Sequence, residues 1–126
     1  MSNNGPGYKK HPGHRIETTR AGVRVQVTFN DEVIADSADA IKLEENGYDA
    51  VYYLPRTDVK MERLSRTAHR TYCPFKGDAS YFTLSNGRTT ENAVWSYEQP
   101  YDEVSVIKER LAFYPDKVDL ITIVDA

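Results

Sequence analysis

The sequence predicts a mainly β domain of antiparallel hairpins with one or two short helices. Val23–Phe29 alternates apolar and polar residues with a period of two, which is typical of a half-buried strand. Asn46-Gly47 and Asn86-Gly87 are strong hairpin signals. Cys73-Pro74-Phe75-Lys76-Gly77 fits a type I turn followed by a glycine. The length of 126 residues indicates one domain, which can bury a core without disulfides or metal.

The first fifteen residues are set apart from this domain. They are rich in glycine and proline and show no apolar periodicity, so residues 1–15 are interpreted as a flexible or clamp-like arm without a folded element. The single β domain is expected to span 16–126. The arm lacks the apolar segment of a signal peptide, and no run is long enough for a membrane helix.

The first half of the domain predicts two hairpins. One turns at Asn30-Asp31 and the other at Asn46-Gly47. The segment before Asn46 fits a strand or a helix, and the hairpin signal that follows favours a strand. Pro55 ends the last strand of this half. The expected strands are 23–29, 32–36, 40–44 and 49–54.

The second half predicts further hairpins and the two helices. Thr57 is placed to cap a short helix, with Asp58 in its first turn. Residues 102–110 show helical spacing, and Pro115-Asp116 marks a turn. The expected strands are 66–72, 80–84, 93–97, 113–114 and 120–124.

The composition argues against several classes of function. A net charge of −3 gives no electrostatic basis for binding nucleic acid. One cysteine and three histidines do not supply a tetrahedral zinc site, so no metal or other cofactor is expected. The chain has no P-loop and no nucleophile elbow. A single cysteine favours a reducing compartment, so the expected location is cytoplasmic, with no membrane partner.

Cys73 and Lys76 are the candidates for catalysis. A lysine and the N–H groups of a turn favour a thiolate, but Cys73 can equally be a small apolar residue packed at a hairpin end. His69, in the same strand, is expected to lie ~13 Å from Cys73, too far to act as its base. Lys76 can be an anion-binding group or a solvated turn residue.

The tyrosines are a stronger indication of a site. The chain has nine tyrosines but four phenylalanines and one tryptophan. Tyr53, Tyr81, Trp95 and Tyr97 fall on neighbouring predicted strands, where they can line a pocket with polar tips or form an aromatic core. Asp58 can be a general base, although its place in a helix first turn already explains it.

Several segments together resemble a known family. They are Tyr52-Tyr53-Leu54-Pro55-Arg56-Thr57-Asp58-Val59, Thr71-Tyr72-Cys73-Pro74-Phe75-Lys76-Gly77-Asp78-Ala79-Ser80-Tyr81, Ala93-Val94-Trp95-Ser96-Tyr97-Glu98-Gln99-Pro100 and Ala112-Phe113-Tyr114, with Pro12-Gly13-His14 and Leu43-Glu44-Glu45 before them. The chain is similar over residues 12–120 to the bacterial and fungal domain-of-unknown-function family numbered 427.

The resemblance implies a β-tent-like fold of two antiparallel sheets meeting at an angle. Zinc-bearing modules such as the ligand-binding domain of cereblon share that fold, but this chain lacks their Cys-x-x-Cys pairs, so zinc is not carried over. The family also carries a nucleotidyltransferase label, for which this chain shows no motif. The family pattern marks His14, Glu45, Tyr53, Arg56, Asp58, Cys73, Lys76, Tyr81, Trp95 and Tyr97.

Three hypotheses follow, and the sequence leaves the oligomeric state open. In the first, the domain binds a small polar or anionic molecule between two sheets. Lys76 and Arg56 then bind an anionic or carbonyl group, and Glu45 and Asp58 orient them. The aromatic walls are Tyr53, Tyr81, Trp95 and Tyr97. In the second, the protein is an enzyme that uses Cys73 or Lys76. In the third, it is a protein-interaction module without catalysis.

Overall fold

The computed structural model describes residues 2–126, and their strands form three antiparallel sheets. The mainly β prediction is confirmed, although the resemblance implied two sheets. The strands are β1 Ile16–Arg20, β2 Val23–Phe29, β3 Glu32–Ser37, β4 Ile41–Glu45, β5 Val51–Tyr53, β6 Leu64–Cys73, β7 Gly77–Ser85, β8 Thr89–Ser96, β9 Ala112–Phe113 and β10 Leu120–Asp125.

The predicted hairpins set the topology. The sheets have the strand orders β1-β4-β5, β10-β2-β3 and β6-β7-β8-β9. The turns at Asn30-Asp31, Asn46-Gly47, Cys73–Gly77 and Asn86-Gly87 each join two antiparallel neighbours, as the sequence predicts. Asn30 and Asp31 both take positive φ, the backbone conformation that a tight hairpin turn requires.

The structure differs from the sequence prediction in three details of the elements. Strand β1 was not predicted, because its residues are mostly polar and only every second one is partly buried. No α-helix follows Thr57: a 3₁₀ turn covers Arg56–Asp58, with no side-chain cap. The second predicted helix is a 3₁₀ stretch, Asp102–Ile107, interrupted at Val104. It buries Val104 and Ile107 without the regular bonds of an α-helix.

Strand β5 separates the two apolar cores of the molecule. Tyr53 is 1% exposed and packs with Ile107 and Ala112 in one core. The next residue, Leu54, is also 1% exposed but packs with Leu111 in the other core. Successive side chains of an extended segment point to opposite faces, so β5 and the residue that follows it contribute to both cores.

The N-terminal arm lies against the domain and contains one turn of α-helix, Gly7–Lys10. The expectation that residues 1–15 hold no folded element is therefore wrong for those four residues. The Gly7 amide donates to Pro74 O at 3.0 Å, and the Asn3 amide donates to Asp102 Oδ2 at 2.7 Å. The arm thus contacts both the β6–β7 turn and the 3₁₀ stretch. Its flexibility and the 16–126 boundary stay predictions.

The helical segments of residues 2–126 are all short. None has the length and apolar character needed to span a lipid bilayer.

Candidate functional site

A cavity of about 490 Å³ opens between the β1-β4-β5 sheet and the β6-β7-β8-β9 sheet. Two of the residues that the sequence marks, Arg56 and Asp58, do not line it. The other eight come together on its walls: His14, Glu45, Tyr53, Cys73, Lys76, Tyr81, Trp95 and Tyr97.

A group of three polar side chains lies at one end of the cavity. Glu45 Oε1 accepts a hydrogen bond from Lys76 Nζ at 2.6 Å, and Glu45 Oε2 is 2.7 Å from His14 Nε2. The side chains of Glu45, Lys76 and His14 are 9%, 13% and 18% exposed. Such short contacts between largely buried ionisable groups are charge-assisted hydrogen bonds, which hold their partners in fixed positions.

Three different parts of the chain supply this group. Glu45 is the last residue of β4, and Lys76 lies in the turn between β6 and β7. His14 belongs to the arm, and its ring stacks on Phe75 with centroids 3.9 Å apart. The group therefore exists only when the arm and both sheets are in place.

Gly77 fixes the backbone beside Lys76. Its φ is +116°, a conformation that residues with a side chain rarely adopt. A Cβ at this position would lie 3.3 Å from Gln99 O. The sequence predicted that a glycine closes this turn, and the structure shows that it also gives room for the segment containing Gln99.

The Lys76 ammonium has more hydrogen-bond donors than its contact with Glu45 uses. An ammonium carries three N–H donors, and the bond to Glu45 uses one of them. Donors that face the cavity can reach an acceptor oxygen.

Aromatic rings form the rest of the walls. Trp95 Nε1 donates to the Tyr53 hydroxyl at 3.3 Å, and the Trp95 ring lies 4.3 Å from the Tyr114 ring. The Tyr81 hydroxyl is 2.9 Å from Thr71 Oγ1. Burial raises the pKa of both Tyr53 and Tyr97 well above the ordinary tyrosine value, so both stay neutral hydrogen-bonding groups at physiological pH.

Arg56 and Asp58 are used elsewhere in the fold. Arg56 Nε donates to Glu109 O at 2.6 Å, and one Arg56 amino group donates to Glu98 at 3.1 Å. Hydrogen bonds from Arg66 and then Arg56 lower the pKa of Glu98 to about 2. Asp58 accepts a hydrogen bond from Ser37 Oγ at 2.7 Å. The expectation that Asp58 orients a basic group of the cavity is wrong.

Cys73 is half-buried and packs against the core that contains Tyr53. His69 is exposed, and its ring packs edge to face with that of Tyr81, with the ring centroids 4.5 Å apart. This arrangement fits the interpretation of Cys73 as a small apolar residue that shapes one wall.

Four aromatic residues of the cavity were not named as candidate site residues from the sequence: Tyr48, Tyr72, Phe75 and Tyr114. A signal for Tyr114 was present, because neighbouring residues of a strand face opposite sides. Phe113 packs in one core, so Tyr114 is directed toward the other side, where the cavity lies. Phe75 supports His14 and had no comparable signal.

The described residues offer no obvious cation site. Within 2–126, no cluster of three or more His, Cys, Asp and Glu side chains is arranged to hold a metal ion.

Comparison with known proteins places the chain in a family. The family model described as "Domain of unknown function (DUF427)" matches residues 16–124, which is most of the chain. No curated protein matches the chain.

Proposed function

The chain belongs to the family of the domain of unknown function DUF427, and we propose that it binds a small molecule carrying an anionic or carbonyl oxygen in the cavity between the β1-β4-β5 and β6-β7-β8-β9 sheets. Lys76 donates to that oxygen. Glu45 holds Lys76 in place, and His14 provides a second polar contact. The rings of Tyr53, Trp95 and Tyr97 contact the remainder of the molecule.

The observation that carries this proposal is the Glu45–Lys76–His14 group at the end of an aromatic-walled cavity. Desolvating charged groups costs free energy, and a buried ion pair frequently contributes less to stability than apolar residues of the same volume. A stabilising role alone therefore explains the group poorly. Fixed polar groups in a mostly apolar cavity of several hundred Å³ are the usual composition of a small-molecule site.

Trp95 makes the proposal directly measurable. It is the only tryptophan of the chain, and it lines the cavity. Small carboxylates, phosphates and neutral carbonyl compounds can be titrated while Trp95 emission and the melting temperature are followed. We expect an acidic compound to change both signals in a saturable way.

One variant and its matched control test whether Lys76 binds the ligand. Lys76→Gln should weaken binding about tenfold or more, because a hydrogen bond to a charged donor is lost. Lys108→Gln changes an exposed lysine far along the chain and is the matched control. Equal binding by wild type and Lys76→Gln would contradict the proposal.

Catalysis is an outcome that the same experiment can detect. Conversion of a bound compound that is lost in Cys73→Ser would assign an enzymatic role to the site. Rapid alkylation of Cys73 well below neutral pH would indicate a stabilised thiolate and point the same way. The proposed setting is the cytoplasm, which the single cysteine favours.

A further inference from the structure

We infer that the ligand is amphiphilic: its acidic head binds at Lys76, and its apolar tail occupies a second cavity on the other side of β5. This inference rests on the proposed function and extends it, because it assigns a chemical class to the rest of the ligand.

The second cavity has a volume of about 400 Å³ and lies beside the β10-β2-β3 sheet. Val25 and Val27 of β2 line it, and both are 2% exposed or less. Ile121 and Ile123 of β10 form another wall, and Ile123 is 44% exposed. The exposed part of this aliphatic wall is thus on β10, and Val25 and Val27 are its buried part.

The two cavities meet at shared residues. Asp49, Val51 and Trp95 line both of them. Beyond Val51, β5 and the residue after it divide the two spaces: Tyr53 lines the polar cavity, whereas Tyr52 and Leu54 line the apolar one. The ligand would cross between the two cavities at the start of β5, beside the exposed Asp49 and Ala50.

The lining determines the chemistry of the tail. Asp49 is the only charged residue among those that line the apolar cavity, and it is exposed at the shared edge. A polar group inside the cavity would lose water without gaining hydrogen-bond partners, which costs free energy. A hydrocarbon chain gains free energy from the same transfer. The head belongs in the other cavity, where Lys76 supplies the donor.

Straight-chain carboxylates from butanoate to dodecanoate, used below their micelle-forming concentrations, test the inference. Trp95 emission and calorimetry report binding. The affinity should rise about fourfold for each CH₂ group that is buried, and it should level off when the tail fills the cavity. A matched series of primary alcohols lacks the acidic head and should bind more weakly at every length.

Two variants on β10 locate the tail. Ile121→Phe fills part of the apolar cavity and should remove the dependence on chain length while short acids still bind. Val124 lies on the opposite face of the same strand and is 55% exposed. Val124→Phe should therefore leave the dependence of affinity on chain length unchanged. If Ile121→Phe folds poorly, Ile123→Phe tests the same wall at a more exposed position.

The outcomes separate the inference from the proposed function. If acids bind through Lys76 with no dependence on chain length, the inference is overturned and the proposed function stands. If the affinity rises with length but Lys76→Gln changes nothing, the head assignment and the proposed function both fail. If no carboxylate binds, the inference is overturned. Light scattering that shows a dimer dissociated by Ile121→Phe would assign the apolar cavity to a second copy of the chain and overturn it as well.

Discussion

The carboxylate of Glu45 and the ammonium of Lys76 lie 2.6 Å apart although 31 residues separate them in the chain. Glu45 ends β4 in one sheet, and Lys76 occupies the turn that joins β6 to β7 in another. The contact therefore ties two sheets together at one end of the cavity.

Replacing Glu45 by glutamine should cost about 3 kcal/mol of unfolding free energy, because it leaves the largely buried Lys76 ammonium without a charged partner. The double variant Glu45→Gln with Lys76→Gln should lose less than the sum of the two single variants. Urea unfolding of all four proteins measures this coupling. Strict additivity would mean that the two side chains do not interact in solution.

Replacing His14 by alanine should lower the unfolding free energy by about 1 kcal/mol, since it removes the contact with Glu45 and the stack on Phe75. His11 is the matched control. It is exposed, and its ring lies 6.3 Å from that of Phe75, so His11→Ala should stay within about 0.5 kcal/mol of wild type. Similar losses in both variants would mean that neither the contact with Glu45 nor the stack on Phe75 stabilises the fold.

Replacing Gly77 by alanine should cost about 1–2 kcal/mol, because φ at this residue is +116° and the new Cβ would press on Gln99 O. Gly13→Ala is the control, since a Cβ there would meet nothing within 4 Å. Chemical denaturation of both variants makes the comparison. A loss of unfolding free energy no larger for Gly77→Ala than for Gly13→Ala would show that the turn accommodates the new Cβ without destabilising the fold.

Alkaline pH should destabilise the protein through the buried tyrosines. Their pKa is raised in the folded state by burial, so the stability they contribute is fully present below the unfolded value of 10.0 and is lost as the pH rises above it. The unfolding free energy of Tyr53→Phe should therefore fall less steeply above pH 10.0 than that of wild type. Denaturant titrations at several alkaline pH values test this, and equal slopes would show that Tyr53 is accessible to solvent.

Local patterns predicted most of the strands, because a hairpin needs only a turn signal and alternation on either side. The turn at Asn46-Gly47, which joins the paired strands β4 and β5, is an example of such a hairpin. Strand β1 was not predicted, because Glu17 and Thr19 face solvent and Ile16 is the only strongly apolar residue in it. Its place is fixed by pairing with β4, a contact between distant segments that local sequence does not encode.

Eight of the ten marked residues line one cavity, but the sequence did not predict how they are arranged. The family pattern marked Arg56 and Glu45 alike as polar residues without an evident packing role. Only the three-dimensional contacts distinguish them: Glu45 meets Lys76 in the cavity, whereas Arg56 bonds to Glu98 outside it. The β6–β7 turn placed Lys76 at a hairpin end, but its partner depends on how separate sheets pack.

The contribution of the N-terminal arm has a practical consequence for how this protein is produced and screened. The family match begins at residue 16, two positions after His14. A recombinant fragment trimmed to the matched residues would lack His14 and would uncover the ring of Phe75 that it stacks on. Library screening on such a fragment would sample a cavity with altered walls. Because the arm contributes to that cavity, affinity tags are better attached at the other terminus.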